Sequence, residues 1–169
     1  MKLRRLVLAA AVTAGLAGAA WWTTRPDGGA ARAVEDPAVT TGRKMTESAD
    51  KLVGLLSDEQ KAKALFAFDD KERTNWNFVP LQKDKKPLRK GLRIAEMTDP
   101  QKQAARDLLR TGASDTGYTK ATTIMSLETI LGELEKNGSN TRNPEWYFVS
   151  IFGAPAAAGK WGWRIEGHH

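Results

Sequence analysis

Three groups of side chains in this sequence have the types and spacing to do chemistry. The first is Glu166, His168 and His169, which include both of the chain's histidines. Along a strand side chains alternate, so Glu166 and His168 point to one face while His169 faces away or begins a turn. A carboxylate and an imidazole together suit zinc, iron, copper or manganese. Two ligands fall short of the three that a catalytic ion usually takes from protein, so the others would come from Asp69, Asp70, Glu72 or beyond His169. The same residues also read as structural histidines at a strand end, or as the remnant of an affinity tag. The second group is Asp69, Asp70, Glu72 and Arg73. Paired carboxylates can share a proton or a cation, and an adjacent guanidinium can fork onto a substrate carboxylate or phosphate. A solvated turn is the plainer reading. The third group is Trp76, Trp161 and Trp163, whose rings could stack on a sugar or aromatic ligand with Arg164 as polar partner. Trp161 and Trp163 share a strand face, which is also how a core layer is sealed.

The elements that must position these groups follow from periodicity. Met45, Ala49, Leu52, Val53 and Leu56 recur at helical spacing. Ser57-Asp58-Glu59-Gln60 has the form of a capping box, and Ala62, Leu65 and Phe66 continue a second helix, giving a helical hairpin. The polar run 69–75 reads as a turn leading into a short strand at Trp76, Phe78 and Val79. Lys83 to Arg93, with Pro87 and Gly91, reads as a basic, solvated loop or frayed edge strand. Thr98-Asp99-Pro100-Gln101 combines an N-cap, a first-turn proline and a Gln that can close a capping box, and so opens a helix that runs to Arg110 and stops at Gly112. A longer helix from about Thr116 to Lys136 carries Tyr118, Ala121, Ile124, Met125, Leu127, Ile130, Leu131 and Leu134 as an expected buried stripe, and Asn137-Gly138 stops it. Trp146 to Phe152 marks a strand buried on both faces, and Trp161, Trp163 and Ile165 alternate along another. The fold class expected is α+β, with N-terminal helices packed on an antiparallel sheet that is only begun.

The N-terminus orders three cations (Lys2, Arg4, Arg5), an apolar run from Leu6 to Trp22 and a polar exit containing Pro26, Gly28 and Gly29, as an export leader does. Small-residue cleavage signals stand at Ala17-Gly18-Ala19 and Ala31-Arg32-Ala33, and the second gives a soluble mature chain starting near Val34. Arg4-Arg5 also partly fits a twin-arginine leader. The alternative is an uncleaved anchor, although the run is short for a bilayer that needs roughly 20 residues. Residues 1–33 are thus assigned to a signal peptide, 34–43 to a linker and 44–169 to one domain, in a periplasmic or extracellular protein. The formal charge of +6 arises mostly in the leader. Removing its five cations and one anion (Asp27) leaves a nearly balanced chain, so nucleic acid is not an expected partner and the membrane is met only through the leader. The chain has no Cys, which removes disulfides and thiolate chemistry. G-x-S-x-G, phosphate-loop and dinucleotide fingerprints are also absent, which argues against the common serine hydrolases and nucleotide enzymes.

Phe66-Ala67-Phe68-Asp69-Asp70, Glu72-Arg73, Asn75-Trp76, Gly117-Tyr118, Leu127-Glu128, Pro144-Glu145, Ile151-Phe152-Gly153-Ala154-Pro155, Trp161-Gly162-Trp163-Arg164 and Glu166-Gly167-His168-His169 together resemble a bacterial family known as domain of unknown function 3500. The likeness runs from about Leu55 to the end. It implies that Glu-Gly-His-His is native sequence, that an export leader is expected, and that the domain continues past His169, so the chain is expected to be incomplete at its C-terminus. It also draws Asn75 into the candidate ligand-binding set with Trp76, Trp161, Trp163 and Arg164. It implies no reaction. Two functions follow as expectations. One is an exported metal-assisted enzyme on a small substrate, with Glu166, His168 and His169 as ligands and Asp69, Asp70 and Arg73 as catalytic partners. The other is a non-catalytic module binding a small molecule or glycan through Trp and Arg.

Overall fold

A computed structural model describes residues 36–136, 138 and 140–168. The leader, its cleavage sites, Asn137 and His169 lie outside the described residues. The first helix, α1 (Pro37–Leu55), begins earlier than expected. Pro37 sits in the first turn and Asp36 accepts a hydrogen bond from the Ala38 N–H at 2.8 Å. That start is well capped, so most of the stretch assigned to a linker is helix. Helix α2 (Asp58–Ala64) and helix α3 (Asp99–Thr111) each open with the expected capping box. The two boxes are joined. Gln60 accepts from the Ser57 N–H and Gln101 from the Thr98 N–H, and each glutamine also donates to the other's carbonyl, at 3.0 and 2.8 Å. One polar pair thereby satisfies two helix starts and fixes α2 against α3.

The sheet is built around β5 (Phe148–Phe152), every residue of which is buried. One edge pairs antiparallel with β6 (Gly162–Glu166). The other edge is shared between β4 (Leu92–Arg93), antiparallel at Phe148 and Val149, and β1 (Leu65–Phe66), parallel at Ile151 and Phe152. The sheet is therefore mixed, a correction to the antiparallel expectation, because β1 leaves α2 in the same direction as β5. Register sorts the residues by face, since directly paired positions point the same way. Leu65, Leu92, Val149, Ile151, Trp163 and Ile165 meet α1, α2 and α3 in the apolar core, with Ala49, Leu52, Ala104, Ala105 and Leu108 opposite. Phe66, Arg93, Phe148, Ser150, Phe152, Arg164 and Glu166 form the second face. A separate hairpin, β2 (Gln82–Lys83) and β3 (Lys86–Pro87), lies in the region read as a basic loop. Trp76 to Pro80 forms no strand.

The larger correction concerns helix α4 (Asp115–Leu134). Half of its expected stripe is not core: Ile124, Leu127, Ile130 and Leu134 are exposed, Leu134 to 78%, while Met125 is partly buried against the core. The buried residue of this helix is Glu128. Apolar periodicity marks a helix and one of its faces, but says nothing of whether this chain supplies the cover. Ile151→Ala, at the centre of β5, is expected to cost about 2–5 kcal/mol in denaturant unfolding, whereas Leu134→Ala should stay within about 0.5 kcal/mol. Equal losses would contradict the placement of the core.

Candidate functional site

The second face of the sheet is buried and charged. There the Glu166 carboxylate accepts from Arg89 Nη1 and forms an ion pair with Arg164 Nη2, each at 2.9 Å. Arg164 Nη2 also reaches Glu72 Oε1 at 2.6 Å, and Nη1 donates to the Glu72 carbonyl at 2.6 Å. Asn75 Nδ2 donates to Glu72 Oε2 at 3.0 Å. Arg89 Nη2 completes the set on the carbonyls of Asn77 and Val79, at 2.9 and 3.1 Å. The Arg89 and Glu166 side chains are 2% and 4% exposed. Burial pushes the Glu166 carboxyl up, and the two guanidiniums oppose that push. Two acids and two bases so arranged are neutral as a group, and each carboxylate is held on both oxygens, which burial requires.

The expected convergence of the polar turn on β6 is present, but through Glu72. Asp70 is spent on the turn itself, capping the 3-10 helix Lys71–Thr74 by accepting from the Glu72 N–H at 2.8 Å. Asp69 is exposed, and Arg73 lies over the Phe68 ring, 4.7 Å from its centroid. Asp69, Asp70 and Arg73 are therefore not gathered with Glu166. Glu166 and His168 also part company. His168 Nδ1 pairs with Glu128, brought by α4, beside Tyr147, whose hydroxyl is pushed up to about 12 by burial and by the Glu128 charge. Among the described residues no group of three His, Cys, Asp or Glu stands ready to hold a metal ion. A cation at Glu166 would also face two guanidiniums, which weighs against metal ligation there.

The tryptophans lie apart from this network. Trp161 and Trp163 line a groove of about 550 Å³ against the start of α1. The Trp161 indole N–H donates to the Ala156 carbonyl at 3.0 Å, and Trp163 rests on Gly112, where a Cβ would lie 2.4 Å from the ring. Trp76 stands exposed elsewhere, beside Phe78.

Beside the charged network opens a cleft of about 790 Å³. Phe66, Phe148 and Gly91 give it apolar surface, and Lys63, Lys86, Arg89, Lys90 and Arg93 surround it against one carboxylate, Glu96. Gly91 has φ +101°, and a Cβ there would lie 2.7 Å from Ser150 Oγ and 3.0 Å from the Val149 carbonyl, so only glycine lets this wall lie on the sheet. Lys63 and Arg93 are both engaged by Glu96, at 2.5 and 3.1 Å. Lys86 and Lys90 make no ion pair among the described residues. The sequence marked this segment only as basic. Gly91 two residues after Arg89 was the available sign that it is built against something.

An α+β domain with one apolar and one charged sheet face is thus defined. The chain belongs to the family described as protein of unknown function (DUF3500), whose model matches residues 39–169. No curated protein and no solved structure matches it.

Burial pushes Glu96 up, but the hydrogen bonds and charges of Arg93 and Lys63 bring it down to about 2 from 4.5. A carboxyl depressed on folding stabilises above its unfolded pKa and loses that contribution as pH falls through the folded value. Between pH 5 and pH 2 the thermal midpoint should therefore fall more steeply in the native protein than in Glu96→Gln. Parallel curves would show that these pairs hold nothing in place.

Proposed function

We propose that this domain is an exported, non-catalytic binding module whose ligand is a small molecule with a carboxylate or phosphate on an apolar body. The observation that carries this reading is the cleft over Phe66 and Phe148, in which Lys86 and Lys90 make no ion pair among the described residues. Lysine in that setting is a mobile point charge suited to an anion. The aromatic floor suits a carbon body, as in most small-molecule sites. Arg89 shapes the wall and is fully engaged by Glu166 and two carbonyls, so it positions the site without competing for the ligand. The metal-assisted alternative has less support, since Glu166 and His168 take separate partners.

Benzyl phosphate and benzoate are suitable probes. Each should raise the thermal midpoint saturably, beyond the effect of sodium chloride at equal ionic strength, as a ligand of the folded state must. Lys90→Ala should weaken the binding by roughly tenfold or more, the worth of a charged hydrogen bond. A shift that follows ionic strength alone, or one unchanged in Lys90→Ala, would contradict the proposal.

A further inference from the structure

Between residues 76 and 90 the chain turns Trp76, Phe78, Val79 and Leu88 toward solvent. The same stretch carries exposed Lys83, Lys85, Lys86 and Lys90, with Asp84 as its single carboxylate. These side chains are arranged, not scattered. Lys83 pairs with Lys86 in the hairpin, and the Leu88 N–H donates to the Leu81 carbonyl at 2.9 Å. By alternation, Leu81, Lys83, Lys86 and Leu88 share one face. The opposite face is fastened inward, where Gln82 exchanges two hydrogen bonds with the Thr141 main chain, at 2.9 and 2.8 Å. Arg89 holds the neighbouring stretch by the carbonyls of Asn77 and Val79, and the Trp76 and Phe78 rings meet edge to face, 6.1 Å between centroids.

We infer that this face is a docking surface for a lipid bilayer bearing anionic headgroups. Aromatic and aliphatic side chains interleaved with lysine match both layers of such a surface: rings and aliphatics enter the headgroup boundary, and ammonium groups meet the anionic heads. A soluble anion would satisfy the lysines but offers no apolar phase to Val79 and Leu88. No helix among the described residues is long and apolar enough to cross a membrane. The aliphatic stripe of α4 is another exposed apolar surface, but its large exposed side chains, Ile124, Leu127, Ile130 and Leu134, are not interleaved with cations. Lys83, Lys85, Phe78 and Val79 do not line the cleft, so docking and ligand binding are separable.

The test is amide hydrogen exchange of the full chain on phosphatidylcholine vesicles, with and without phosphatidylglycerol. Exchange reports by segment, so any binding by residues 6–22 is read separately. Residues 76–88 should be protected on the anionic vesicles and not on phosphatidylcholine alone. Lys83→Gln combined with Lys85→Asn, which suits the left-handed backbone there (φ 58°), should weaken partitioning about 25-fold, roughly fivefold for each lysine lost. Phe78→Ser combined with Val79→Ser should abolish the protection. Both variants keep the buried network, and the first should keep the benzyl phosphate response. Solution-like exchange at 76–88 on anionic vesicles would overturn the inference. So would equal protection by soluble heparin without vesicles, which would make the face a polyanion site.

Discussion

The buried alternation of Arg89, Glu166, Arg164 and Glu72 is the constraint on which the rest of the structure depends. Removing four charges from water is expensive, and only near-complete pairing offsets it. Here the pairing recruits distant parts of the chain: Glu72 from the 3-10 turn, Arg89 from the segment after the hairpin, Arg164 and Glu166 from β6. A sheet face that would otherwise need helices to cover it is instead covered by irregular chain. Its backbone groups are bonded by arginine where no strand partner is present.

That device explains why so much of the surface on this side is available. Residues 76–80 need no inward-facing apolar side chains, because the Arg89 guanidinium holds them by their carbonyls. The Trp76, Phe78 and Val79 side chains are left outside, and the lysines around Gly91 stand over a cleft whose floor is still the aromatic part of the sheet. The helical face obeys ordinary rules, with apolar strands on α1 and α3 and the joined capping boxes at one end. One face carries the core and the other is free to carry a site.

Local grammar was legible in the sequence where local physics decides structure. The capping boxes at Ser57 and Thr98, the Gly112 stop, the buried β5 and the alternating β6 stand as their residues suggest. Long-range partners were not legible. Nothing in the apolar period from Ile124 to Leu134 on α4 distinguishes a face covered by this chain from one left open, and nothing in Glu166-Gly167-His168 shows that Arg89 claims the first residue and Glu128 the last. Asp69, Asp70 and Glu72 looked alike in sequence; only the turn geometry sends Glu72 inward and uses Asp70 as its cap. The basic segment misled because its one buried cation, Arg89, reads like its exposed neighbours.

A double-mutant cycle in denaturant unfolding, with Arg89→Met, Glu166→Gln and the pair, measures whether the buried charges hold this face through their pairing. Removing one partner strands a buried charge, so each single change should cost about 3–5 kcal/mol. The double change should cost clearly less than the two together, with a coupling of about 2 kcal/mol or more. Additivity within about 0.5 kcal/mol would mean that the two residues are neighbours without being partners, and that their pairing does not hold this face.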